Sequence, residues 1–275
     1  MLQEAKPDPW KIDDVSLTSR LLLGSAGYPN PQTLSEAIRA SQTEVLTVGL
    51  KRSLLSGSQT GDNGFVAMAM RTAKAQGARL LPNTAGCRTA REAVQLACMA
   101  RELYDTTWIK LEVIGDEHTL QPDPFELLAG AAELVKKGFA VLPYCTDDLV
   151  LCRRLLDAGC AVLMPWGAPI GSGQGLLNPF ALRSLRERLP DATLIIDAGL
   201  GAPSHAARAL ELGFDAVLLN SAVAQAREPV LMAAAFRDAV RAGRQGYQAG
   251  LMSSQDFAVP STPVSGHAFL LGDPP

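Results

Sequence analysis

The sequence predicts a single-domain α/β protein with the (β/α)8, or TIM, barrel fold. Eight short apolar runs alternate with stretches of 3.6-residue periodicity between residues 20 and 245. The runs end 22 to 34 residues apart, the length of one strand-plus-helix unit. Eight such units suit a closed barrel better than an open sheet wound on both faces. With 275 residues, 47% of them hydrophobic, the chain can bury the core that a barrel of about 250 residues requires.

Taken in order, Trp10–Ile12 and Val15–Leu17 read as a short strand pair covering the N-terminal mouth of the barrel. The barrel strands are expected at Leu21–Ser25, Val45–Leu50, Arg79–Thr84, Trp108–Ile114, Ala140–Cys145, Ala161–Gly167, Thr193–Gly199 and Ala216–Ser221. Helical periodicity is clearest over Thr89–Glu102 and Phe125–Lys137. The Asp157-Ala158-Gly159 and Glu211-Leu212-Gly213 strings supply the glycine stop of a helix C-cap. The Ser- and Gly-rich loop Ser53–Gly64 reads as a lid over the barrel mouth. Residues 1–250 therefore form the catalytic barrel with its cover segment, and 251–275, rich in Ser, Pro and Gly, a mobile tail.

Composition removes several function classes. A net charge of −3 and a pI near 5.7 give no electrostatic reason to expect nucleic acid. No apolar run approaches 18 residues, so no membrane span is expected, and Met1–Asp8 lacks the basic-then-apolar order of a secretion signal. Five cysteines without Cys-x-x-Cys spacing read as reduced packing residues of a cytoplasmic protein. His118, His205 and His267 are too scattered for a metal site, and no cofactor is expected.

The chemistry concentrates in Thr107–Asp116 (TWIKLEVIGD), a buried strand that carries two charges. Side chains alternate along a strand, so Lys110 and Glu112 share one face while Ile109, Leu111 and Val113 take the other. If the apolar set faces the helices, the charged pair points into the barrel. An inward lysine is expected to have its pKa lowered by desolvation, making the neutral amine available for attack on a ketone, with Glu112 shuttling protons. Asp197 is the ionisable residue of the apolar run 194–199 and ends at the same face. The competing readings are a structural ion pair for the first two and a helix N-cap or loop hydrogen bond for Asp197. Glycine clusters follow: Ala168–Gly175 (APIGSGQG), then Gly199-Leu200-Gly201, with Asn220-Ser221 ending the last strand. Glycines let backbone N–H groups approach an anion, and the loops after the last two strands are the usual phosphate position in this fold.

These strings resemble the thiazole synthase family of thiamin (vitamin B1) biosynthesis. The resemblance spans about residues 10–250 and rests on Ser19–Gly24 (SRLLLG), Leu80–Ala90 (LLPNTAGCRTA), Trp108–Asp116, Met164-Pro165 through Gly171–Leu176 (GSGQGL), and Asp197-Ala198-Gly199. It implies a sulfur-transferring enzyme, a transferase, that builds a thiazole phosphate from 1-deoxy-D-xylulose 5-phosphate, dehydroglycine and the thiocarboxylate of a sulfur carrier protein. It further implies that Lys110 forms an imine (Schiff base) with the ketone, that Glu112 and Asp197 do acid–base work, and that Gly171, Ala198, Gly199, Asn220 and Ser221 hold the sugar phosphate. A dehydroglycine-producing enzyme and assembly as a homotetramer are implied as well.

The departures from the family pattern are modest. Val48–Arg52 reads VGLKR where Ala and two arginines are more frequent, and Ser221 replaces a threonine while keeping its hydroxyl. His205 stands where an acidic residue is common, a change expected to alter surface charge near the anion site. Two other readings compete: an imine-forming aldolase, which lacks a use for the Pro82–Ala90 string, and a silent barrel that only docks a partner, which has no use for Lys110, Glu112 and Asp197 together.

Overall fold

The computed structural model describes residues 8–50 and 65–259. An antiparallel pair, β1 (Trp10–Ile12) and β2 (Val15–Leu17), precedes eight parallel strands that close into a barrel. These are β3 (Leu21–Gly24), β4 (Val45–Gly49), β5 (Arg79–Asn83), β6 (Trp108–Leu111), β7 (Ala140–Cys145), β8 (Val162–Pro165), β9 (Thr193–Asp197) and β10 (Ala216–Leu219). Strand order follows the sequence, and β10 pairs with β3 to complete the ring. The fold is the TIM barrel that the strand spacing predicts.

The helices are α1 (Pro31–Ser41), α2 (Phe65–Ala75), α3 (Ala90–Tyr104), α4 (Pro124–Lys136), α5 (Leu149–Asp157), α6 (Pro179–Arg188), α7 (Pro203–Glu211), the single turn α8 (Ser221–Ala224) and α9 (Pro229–Ala249). Their starts are written in the sequence. Asn30, Thr89, Asp123, Asp148 and Asn178 each accept a backbone N–H from the first helical turn. Proline at the first helical position, where no N–H is missed, opens α1, α4, α6, α7 and α9. Among the described residues no helix is long and apolar enough to cross a membrane.

Alternation along the strands sorts the core into two layers. Ile109, Leu111, Val113, Leu163, Leu194 and Ile196 face outward against the helices. Leu22, Val45, Leu81, Trp108, Leu142, Met164, Ile195 and Leu218 fill the barrel interior, where Trp10, Ile12 and Leu17 of the β1–β2 pair join them. The lower half of the barrel is thereby packed shut, which leaves the C-terminal ends of the strands as the open face.

Several strands end earlier than the apolar runs suggest. β6 stops at Leu111 instead of Ile114 because the Thr84 hydroxyl takes over the ladder. It donates to the Glu112 carbonyl and accepts from the Glu112 N–H, each at 2.8 Å. Ile114 N–H then bonds Cys87 O, turning the chain away from the barrel wall. Residues 251–259 are exposed and without regular structure. The rest of the expected tail and the expected lid Ser53–Gly64 lie outside the described residues.

Candidate active site

Lys110 is the inward-facing residue near the end of β6, flanked by Asn83 of β5 in the ladder register. Its ammonium lies 2.7 Å from Asp197 Oδ2 and 3.1 Å from Glu112 Oε1. All three side chains are sealed, at 6%, 2% and 7% exposure. The Asp197 contact is an ion pair out of line for a hydrogen bond, and among the described residues Oδ2 has no other partner. Tyr144 of β7 completes the surroundings, its ring centre 5.7 Å from the lysine nitrogen.

The electrostatics correct one expectation. Burial does pull the Lys110 pKa down, but the Asp197 and Glu112 charges outweigh it, and the net shift is upward. Lys110 therefore rests as an ammonium rather than a neutral amine. The opposing strain appears on Asp197, whose pKa is pushed up to about 6 by burial and by the Glu112 charge, against the pull of Lys110.

The glycine loops line the same cavity as this triad, and one of them follows Asp197 directly. Gly171 (φ +75°), Ala198 (φ 74°) and Gly199 (φ +80°) all occupy the left-handed region, and Ala198 does so with a side chain. At Gly199 a Cβ would stand 2.4 Å from the Ala168 backbone nitrogen, so only glycine fits between the two loops. Gly175 N–H donates to Gly199 O at 2.8 Å, tying the loop after β8 to the loop after β9. Gly171 lies on the turn after β8, and Ser221 and Ala222 open α8, where the first N–H groups have no partner within the helix and can serve an anion. Asn220 spends part of its side chain on the scaffold: its Oδ1 accepts from Ala26 N–H at 3.2 Å and fixes the β3 loop to β10.

A cavity of about 1540 Å³ opens over these elements and is lined by Lys110, Glu112, Asp197, Gly171, Ala198, Gly199, Asn220 and Ser221. The structure thus brings every residue singled out from the sequence to one chamber. It also adds residues that sequence reading passed over. Tyr28 lines the cavity with a buried hydroxyl that has no partner among the described residues. Thr84, quoted in a motif but given no task, shapes the backbone at Glu112. His205 has a structural task that its position in the sequence does not suggest. It is half-buried, and its Nδ1 accepts the Gly201 N–H at 3.2 Å, which ties α7 back to the loop that precedes it.

The family model described as "Thiazole biosynthesis protein ThiG" matches residues 11–263. The chain belongs to that family. It is 57% identical over 265 residues to the thiazole synthase of Coxiella burnetii (strain RSA 493 / Nine Mile phase I), covering 96% of this chain and all of that one. It is 58% identical over 259 residues to the thiazole synthase of Bradyrhizobium sp. (strain ORS 278), covering 94% and 97% of the two chains. Among solved structures, the Amycolatopsis orientalis BexX/CysO complex matches with a TM-score of 0.79 and 30% identity, over 90% of this chain and 99% of that one.

In this ThiG-family chain, the triad is arranged for proton exchange around a single amine. Two carboxylates from different segments lie within 3.1 Å of one nitrogen, so both stand close enough to exchange a proton with it once the geometry is in line. Asp197, already raised towards neutrality, is the better proton store of an otherwise fully charged set.

Proposed function

We propose that the protein is a thiazole synthase of thiamin biosynthesis, a cytoplasmic transferase that condenses 1-deoxy-D-xylulose 5-phosphate, dehydroglycine and the sulfur of a carrier-protein thiocarboxylate through an imine on Lys110. The observation that carries this reading is the buried lysine held between Glu112 and Asp197 on the wall of a cavity that glycine loops also line. The sugar phosphate spans the two: its phosphate rests on Gly171, Ala198-Gly199 and Asn220-Ser221, and its ketone meets Lys110.

On this reading the ammonium first gives a proton to Asp197, 2.7 Å away. The freed amine attacks C2, and the proton returns to the carbinolamine oxygen, which leaves as water. Glu112 then removes the C3 proton, and reprotonation shifts the ketone to C3. The thiocarboxylate sulfur adds there, and one of the two carboxylates protonates the oxygen that departs. Pre-positioned charges of this kind act strongly because the site excludes water.

The solved relative at 30% identity is in complex with a second protein, CysO, which supports a carrier-protein partner for this chain also. A dehydroglycine-producing enzyme is the further partner, and a homotetramer the expected assembly, with residues 1–250 forming the catalytic unit. Reconstitution tests the whole reading: purified protein, sugar phosphate, dehydroglycine and carrier thiocarboxylate are expected to yield thiazole phosphate carboxylate by mass spectrometry. Formation of a sugar-cleavage product instead, with no sulfur incorporated, favours an aldolase.

A further inference from the structure

One neighbour of Lys110 has no part in the steps above. Tyr144 is fully buried on β7, with its ring facing the lysine nitrogen at 5.7 Å. It does not line the cavity that Lys110 lines. Among the described residues its hydroxyl has no hydrogen-bond partner, so the hydroxyl anchors nothing, and what Tyr144 offers the lysine is the face of its ring. The groups set around the nitrogen are then Asp197 from β9 at 2.7 Å, Glu112 from the segment after β6 at 3.1 Å, and this ring.

We propose that Tyr144 is a positioning residue for the imine chemistry: its ring face stabilises positive charge on the Lys110 nitrogen, as ammonium and then as protonated imine, and closes the side turned away from the cavity. The inference rests on the imine reading given under Proposed function. The three neighbours differ in whether they titrate. Asp197 and Glu112 must take up protons during the reaction, and a carboxylate that has done so no longer attracts the nitrogen. An aromatic quadrupole does not titrate. It attracts a cation over its face at every stage, most strongly where water is excluded, as here. The ring therefore supports the cationic imine at the moments when the carboxylates cannot.

Trapping with cyanoborohydride, which reduces the protonated imine, reads this directly. Wild type and variants are incubated with 1-deoxy-D-xylulose 5-phosphate across pH 7 to 9.5, and the trapped fraction is measured by intact mass. Tyr144→Leu removes the ring and is expected to move the alkaline limb of trapping down by roughly one pH unit, the size of a desolvated cation–ring attraction. Tyr144→Phe keeps the ring and is expected to restore the limb. Because Tyr144→Leu also leaves a void, a second series keeps the shape: phenylalanine at position 144 with one, two or three ring fluorines, which weaken the quadrupole stepwise. A limb that descends with each fluorine supports the proposal. Coincident limbs across that series overturn it while leaving the imine reading intact. If no adduct forms even in the wild type, the imine reading fails. The proposal is then decided by acetic anhydride labelling of Lys110 against pH. That limb moves down with fluorination if the ring stabilises the ammonium, and unchanged labelling overturns it.

Discussion

Lys110 Nζ and Asp197 Oδ2 lie 2.7 Å apart, the first on β6 and the second on β9, and both side chains are almost wholly buried at the cavity wall. The contact crosses the barrel interior, so it sets the protonation of Lys110 and also joins two strands that are not neighbours in the sheet. Both consequences can be measured.

Removing the lysine leaves two buried carboxylates facing each other. Lys110→Met is expected to destabilise the fold by about 3–5 kcal/mol at neutral pH, the usual result of stripping one partner from a buried ion pair. The loss should shrink as the pH falls and the carboxylates protonate. Urea unfolding at pH 7 and pH 4.5 checks this, and an equal loss at both would show that the triad is not electrostatically coupled.

Asp197 itself makes stability depend on pH. Its folded pKa, about 6, lies above the ordinary 3.8, so between these values the folded protein holds a proton that the unfolded chain has released. The stabilisation from that proton is fully present below 3.8 and is lost as the pH rises through about 6, a change of roughly 3 kcal/mol. The stability of the wild type relative to Asp197→Asn is therefore expected to decline from pH 4 to pH 7. A flat difference over that window in denaturant titrations would contradict the assignment.

The two glycines of the anion side should respond differently to a methyl group. Gly171→Ala meets open space, with Ser221 Oγ at 4.0 Å, and bears only the left-handed backbone penalty of roughly 1–2 kcal/mol. Gly199→Ala puts a Cβ 2.4 Å from the Ala168 backbone nitrogen and must displace a loop. Melting temperature is expected to fall much further in Gly199→Ala. Gly171→Val adds bulk at the proposed phosphate site and is expected to weaken sugar phosphate binding by about 1.5–3 kcal/mol for each hydrogen bond to the anion that it breaks, read by calorimetry. Unchanged affinity in a folded Gly171→Val protein would place the phosphate elsewhere.

The carboxylates should separate imine formation from turnover. Glu112→Gln and Asp197→Asn keep the lysine, the cavity and one carboxylate beside the nitrogen to accept its proton, so both are expected to form a trappable imine, more slowly in Asp197→Asn, yet fail to complete the reaction with carrier thiocarboxylate. A variant with wild-type turnover would remove its carboxylate from the mechanism.

Much of this site was legible in the sequence because a period of two is unambiguous. Lys110 and Glu112 must share a face, and apolar Ile109, Leu111 and Val113 decide which face that is. Glycine clusters after the late strands likewise point to the anion side in any barrel. What stayed hidden depends on distances between segments far apart in the chain. The sign of the Lys110 shift follows from Asp197, 87 positions further along, arriving within 2.7 Å, and no local pattern carries that number. The early end of β6 depends on one Thr84 hydroxyl, which in sequence is an ordinary strand-end threonine. The bond that His205 accepts from Gly201 N–H joins residues four apart, from α7 to a loop whose geometry no local pattern carries. Tyr144 reads as core because an aromatic in an apolar strand usually is core, and only its place beside Lys110 distinguishes it.

Everything proposed for the reaction depends on the sealed lysine being the nucleophile, and peptide mapping of a trapped adduct tests that most directly. The protein is incubated with 1-deoxy-D-xylulose 5-phosphate, reduced with borohydride, digested and sequenced by tandem mass spectrometry. A single sugar phosphate adduct is expected on Lys110, absent from Lys110→Arg. An adduct on another lysine such as Lys51, or one that persists in Lys110→Arg, would contradict it.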